Sequence, residues 1–124
     1  MNEPLSIAFN GFPSTEWLSS LIEEQALKLE RYFPRIVSCR VVVEQPHRHH
    51  RHGKRFNVRI AVGVPGKEVV VTRSPEHHVD NEEVHEAVLD AFRTARRRLQ
   101  DYARTLRGEV KAHTLPAVSE APRG

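Results

Sequence analysis

The stretch FNVRIAVGVPGKEVVV, residues 56–71, leaves the chain little freedom in how it folds. Phe56, Val58, Ile60 and Val62 alternate with Asn57, Arg59 and Ala61, so an extended strand here has one apolar side. β-Branched side chains are stiff at χ1 and suit a pleated strand better than a helix. The run ends in Val64-Pro65-Gly66-Lys67. Pro65 presets φ at the first central position of a β-turn, and Gly66 supplies the positive φ of a type II turn. The chain then returns as KEVVVTR, a second strand whose three consecutive valines hide its register.

A lone hairpin cannot bury its apolar side, so other segments must cover it. LSIAFN, residues 5–10, alternates with Leu5, Ile7 and Phe9 on one side and Ser6, Ala8 and Asn10 on the other. IVSCRVVVEQ, residues 36–45, places Val37, Cys39, Val41 and Val43 on one face and turns Ser38 and Arg40 away. Between these strands, Trp17, Leu18, Leu21, Ile22, Ala26, Leu29 and Phe33 recur at helical spacing. This predicts a helix from about Thr15 to Tyr32, capped by Ser14 and stopped by Pro34. A second helix opens with Asp80 and Glu83 as a capping box. Its apolar stripe is Val84, Val88, Ala91, Phe92, Ala95, Leu99, Tyr102 and Leu106, and Gly108 is its expected stop. The order is therefore β-α-β-β-β-α, an α+β domain over residues 1–107. A tail over 108–124, without periodicity and with two prolines, is expected to be disordered. A right-handed crossover makes the first two strands parallel, and the last three form an antiparallel meander. Both helices can then cover one face of a four-stranded sheet.

Several classes of function are not expected. No apolar run is long enough to span a bilayer, and MNEPLS lacks the basic and apolar regions of a signal peptide. Cys39 is the single cysteine, which excludes an internal disulfide, fits a reducing cytoplasm, and suits a small buried strand residue. HEAVL begins like the HExxH zinc-protease motif, but Leu89 stands where the second histidine is needed. No Gly-rich phosphate loop follows a strand, and no nucleophile has a recognisable setting. Neither catalysis, a cofactor nor a small-molecule substrate is expected.

Charge is more informative. The net charge is only +3, yet residues 45–73 hold seven basic residues against one acidic. Much of this lies in PHRHHRHGKRF, residues 46–56, between two strands. His47, His49, His50 and His52 could bind a transition metal, with His77 and His78 as a further pair. Arg48 and Arg51 lie among those ligands, and their charge opposes a bound cation. A solvated hairpin loop is the plain alternative. Contact with nucleic-acid phosphate is the favoured reading, because Arg48, Arg51, Lys54 and Arg55 bring charge and the histidines bring donors and stacking faces. The second helix is also polarised: five acids and no Lys or Arg over 80–92, then six arginines over 93–107. Acids first and cations last suit the helix dipole, but six arginines exceed what a dipole needs. At about 100° per residue, Arg93, Arg97 and Arg104 lie opposite the apolar stripe, with Arg96 and Arg107 on one flank. Such a guanidinium patch suits phosphate.

The element order, with KLERYFPRI, FNVRIAVGVPGKEVVV and VLDAFRTARRRLQDY, resembles the ribosome hibernation-promoting factor family, which includes the ribosome-associated translation inhibitors. The similarity runs from about Pro4 to Leu106 and lies in the order and spacing of these segments. It implies a domain similar in shape to double-stranded RNA-binding domains. It implies binding to the small ribosomal subunit and its ribosomal RNA, in the channel for messenger and transfer RNA, with translation silenced under stress or in stationary phase. It implies no catalysis. Where relatives open the second helix with Tyr-x-Ala-Ile-Asp, this chain has His85, Glu86, Ala87, Val88 and Leu89. The His-rich loop is also unusual. Long members add a C-terminal dimerisation domain, and with only a short tail here, pairing of ribosomes through that domain is not expected. The expected RNA-binding residues are Arg48, Arg51, Lys54, Arg55, Arg59, Arg93, Arg96, Arg97, Arg104 and Arg107, in a cytoplasmic protein that is monomeric when free and has no membrane partner. A general double-stranded-RNA binder and a metal-responsive protein are the alternatives.

Loop chemistry separates these readings. Replacing His47, His49, His50 and His52 by Asn should weaken ribosome binding only modestly near neutral pH. Replacing Arg48, Arg51, Lys54 and Arg55 by Ser should weaken it far more. Elemental analysis of untagged protein checks the alternative, and a one-to-one metal content would sink the phosphate reading of the loop.

Overall fold

The computed structural model describes residues 1–46, 55–74 and 83–113, with side chains through 108. Its elements are β1 (Ser6–Asn10), α1 (Glu16–Tyr32), β2 (Ser38–Glu44), β3 (Asn57–Val64), β4 (Lys67–Arg73) and α2 (Val84–His113). The strands form one sheet in the order β1-β2-β3-β4. β1 runs parallel to β2, with Ser6 opposite Arg40 and Asn10 opposite Glu44. β2 and β3 are antiparallel, with Val41 opposite Ile60; β3 and β4 are antiparallel, with Ile60 opposite Val71. The α+β class, the element order and the strand directions are those the sequence implies.

Register follows from alternation, because a slip of one residue would turn every apolar side chain to the other face. Cys39, Val41 and Val43 on β2, and Val58, Ile60, Val62 and Val64 on β3, are buried. On β4 the inward valines are Val69 and Val71, while Val70 lies on the opposite face. Gly66 has φ 84°, as the turn requires. Gly63 instead lies close to a neighbouring side chain. It pairs with Ser38, and a Cβ on it would lie 2.4 Å from the Ser38 hydroxyl.

Both helices cover the same side of the sheet and share one core with it. α1 contributes Leu18, Ile22, Ala26 and Leu29, at spacings of four, four and three. Its cap is Thr15, not Ser14: the helix begins at Glu16, and the Leu18 amide donates to the Thr15 hydroxyl at 3.1 Å. The end is as expected, with the Phe33 amide donating to the Leu29 carbonyl at 2.8 Å before Pro34. Trp17 departs from the expected stripe. It is 59% exposed, because the four buried positions already face the sheet, and it stands edge-on to His85 with ring centroids 5.9 Å apart.

α2 buries Val88, Ala91, Phe92, Ala95 and Leu99 as expected, together with Ala87. It does not stop at Gly108 but continues to His113. Gly108 does not take the positive φ of a left-handed turn, and nothing lies within 4 Å of a Cβ built there. Glycine inside a helix costs about 1 kcal/mol relative to Ala, which does not by itself break the helix. The Asp80 half of the expected capping box and residues 114–124 lie outside the described residues.

Tyr102 ties three elements together. Its hydroxyl donates to the Pro65 carbonyl at 2.8 Å, its ring meets Phe33 edge-on at 5.8 Å, and Lys67 lies 5.6 Å from its centroid. The β4 edge is closed differently. Arg98 donates to the Val70 carbonyl at 2.8 Å and so occupies an acceptor on an edge strand.

Leu99 is fully buried where α2 meets the sheet, so Leu99→Ala should destabilise the protein by about 2–5 kcal/mol. Gly66→Ala should cost about 1–2 kcal/mol, from positive φ alone, since the space beside it is open. Urea unfolding checks both, and a Leu99→Ala loss no larger than the Gly66→Ala loss would contradict the packing described.

Candidate nucleic-acid interface

α2 separates its two chemistries by angle. The stripe that holds Leu99 faces the sheet, so Arg93, Arg96, Arg97, Arg104 and Arg107 all stand exposed. From Arg93 to Arg107 they extend over about 21 Å of helix at 1.5 Å per residue. Two reach back to carboxylates one turn earlier: Arg93 to Asp90 at 3.5 Å and Arg104 to Asp101 at 3.0 Å. These side chains are 64% and 69% exposed, so each pair is worth only about 0–1 kcal/mol. A phosphate group can replace the carboxylate at little cost. The sixth arginine of this run, Arg98, is the one bound to the Val70 carbonyl, and it serves the sheet edge.

Asp90 holds the N-terminal end of the patch. Its carboxylate accepts from Arg73 Nε at 2.9 Å and also faces Arg93. The hydrogen bond from Arg73, then the charges of Arg73 and Arg93, lower its pKa from the ordinary Asp value. It therefore remains ionised at neutral pH and anchors α2 to the end of β4.

α1 supplies what sequence reasoning missed. Lys28 and Arg31 flank the same inter-helix space as Arg93 and Arg96, in an open groove of about 510 Å³. Leu29 and Phe92 lie at its base, and Tyr32 forms part of its wall. The Arg96 guanidinium sits 4.3 Å from the centre of the Tyr32 ring, a cation–π stack. Gln100 on α2 donates to the Tyr32 hydroxyl, and this bond, helped by Arg96, lowers the phenol pKa. On α1 alone Lys28 and Arg31 look like cations dispersed among acids. Only the packing of α1 beside α2 shows that they face the arginines.

Of the other expected residues, Arg59 does not join this patch. Arg59 is exposed on the uncovered sheet face, opposite Val42 and Thr72, so the sheet separates it from the α2 arginines. That face is mixed in charge: Arg40 pairs with Glu68 at 3.4 Å, and Asn57 donates to Glu44 at 3.2 Å. Arg55 is half-buried at the entry to β3. Arg48, Arg51 and Lys54, like His47, His49, His50, His52, His77 and His78, lie outside the described residues. Among the described residues no group of His, Cys, Asp and Glu is arranged to hold a metal ion. No described helix is long and apolar enough to cross a membrane. Cys39 is buried on β2, and burial pushes its thiol up to about 11, which makes it a poor nucleophile at neutral pH.

The fold recurs among solved structures. A ribosomal subunit interface protein from Coxiella burnetii superposes with a TM-score of 0.64 at 13% identity, over 80% of this chain and 96% of its own. The N-terminal domain of Protein Y from Thermus thermophilus gives 0.63 at 16% identity, over 82% of this chain and 99% of its own. At such identities the likeness shows a shared fold. No curated protein sequence matches the chain. The model of the family described as sigma 54 modulation protein / S30EA ribosomal protein matches residues 5–107, which span every strand, all of α1 and most of α2. The chain thus belongs to the sigma 54 modulation protein / S30EA ribosomal protein family, the hibernation-factor family its sequence resembles.

Proposed function

We propose that this protein is a ribosome-associated translation inhibitor that docks on the small ribosomal subunit and blocks the messenger and transfer RNA channel by occupancy. The observation that carries the reading is the row of exposed arginines on α2 in a chain of this family. The Coxiella burnetii protein that shares this fold is a ribosomal subunit interface protein, which supports the same place of action. Structured RNA hides its base edges from side chains, so phosphate contacts and shape dominate such docking. Arg93, Arg97, Arg104 and Arg107 bind backbone phosphate, and the basic loop with Arg48, Arg51, Lys54 and Arg55 acts as a second finger. Arg59, on the other face of the sheet, contacts RNA only where the channel wraps the domain. The protein works in the cytoplasm as a monomer until it binds, under stress or in stationary phase, by binding and not by catalysis.

Two measurements test this. Binding to purified small subunits should weaken steeply with salt, because displaced counterions set the slope. Arg93→Ala, Arg97→Ala and Arg104→Ala combined should reduce that slope by about 1 per arginine and leave urea unfolding nearly unchanged. Unchanged cosedimentation would remove α2 from the interface.

The second uses order of addition in a purified translation system. Inhibition should be strong when the protein meets empty ribosomes and weak when initiation complexes are assembled first, since ligands of one channel exclude each other. Equal inhibition in both orders would rule out occupancy of the channel.

A further inference from the structure

The groove between α1 and α2 is built differently from a site for duplex backbone. A phosphate row needs only positive charge along a surface. Here Lys28, Arg31, Arg93 and Arg96 surround a recess with Leu29 and Phe92 at its base. The wall is the Tyr32–Arg96 stack, and guanidinium planes and aromatic rings are the surfaces on which unstacked bases settle. Gln25 also lines the recess, and its amide can both donate to and accept from a base edge. A volume of about 510 Å³ lies within the usual range for small-ligand sites.

We propose that this groove receives one unstacked nucleotide of ribosomal RNA, with its base against the Tyr32–Arg96 stack and the Leu29–Phe92 floor and its phosphates among Lys28, Arg31 and Arg93. Charge complementarity selects an anion, and the apolar base and aromatic wall select one that carries a flat ring. The carboxylates nearby offer weak competition. Glu24 lies 3.9 Å from Lys28 and Asp90 lies 3.5 Å from Arg93, both in exposed pairs. Gln100 holds the Tyr32 hydroxyl and so keeps the ring in place before a base arrives. The inference rests on ribosomal RNA being the partner. It adds that the protein recognises a single-stranded position as well as helical backbone.

The test uses two fluorescein-labelled probes with equal numbers of phosphates, a single-stranded oligouridylate and an RNA duplex, titrated with the full chain. Tyr32→Ala should weaken binding of the single strand about tenfold, the effect of losing one stacked base, and leave duplex binding unchanged. Gln25→Ala, which keeps the ring and every charge, should weaken the single strand alone by a smaller factor. Arg104→Ala, outside the groove, should weaken both probes equally. Loss on both probes with Tyr32→Ala, or on neither, overturns the proposal. Uridine monophosphate binding as tightly as the oligomer would also overturn it, by making a free nucleotide the occupant. Cosedimentation of wild type with small subunits reports separately: its failure would end the ribosomal reading, while the oligonucleotide titrations would still decide what the groove holds.

Discussion

The one-sided burial of β3 is the constraint that the rest of the molecule obeys. Val58, Ile60, Val62 and Val64 all point under the helices, and the strand is paired on both sides. Each buried aliphatic side chain contributes about 1.5–3 kcal/mol by leaving water. That gain exists only if α1 and α2 present continuous apolar stripes to the same face, which they do through Ile22 and Leu29 on one and Val88, Phe92 and Leu99 on the other. Once those stripes face the sheet, the remaining helix surface faces outward. The arginines of α2 are placed on the outer surface by the same geometry that buries Leu99.

This division keeps the exposed arginines apart from the packing that holds the fold. Of the arginines on α2, Arg98 has a structural task at the β4 edge, and Arg73 on β4 has one at Asp90. The others project outward, and Arg93 and Arg104 are tied only by exposed pairs. The inter-helix groove is where the basic surface and the core meet, because Leu29 and Phe92 belong both to the core and to the lining of the recess.

Much of the fold is legible in the sequence because two signals agree at most positions: period-2 alternation in β1, β2 and β3, and helical spacing in α1 and α2. Where one signal is missing, reading stops. Three consecutive valines in β4 carry no period, and only pairing with β3 turns Val69 and Val71 inward. Trp17 is apolar but lies beside the buried stripe, and hydrophobicity alone does not reveal that the sheet is already covered by Leu18 and Ile22. Gly108 is a stop signal only if the next residues require a left-handed turn, and they do not. The α2 patch is readable from a helical wheel, because it lies on one element. The groove is not, because Lys28 and Arg31 meet Arg93 and Arg96 only through tertiary packing. Arg59 is assigned to its strand face correctly, but its distance from the α2 patch depends on which layer the helices occupy.

The Tyr102 junction has a mechanical consequence. One ring touches the end of α1 through Phe33, the β3–β4 turn through Pro65 and Lys67, and belongs to α2 itself. A single side chain therefore braces α2 against both the hairpin turn and the end of the first helix. Such bracing matters wherever long, flexible side chains are to hold a ligand. Each guanidinium that settles on an anion loses rotamer freedom, at about 0.5–1.5 kcal/mol per side chain. With the backbone beneath already ordered, no further ordering of the scaffold adds to that cost, so even weak individual contacts can accumulate along the helix.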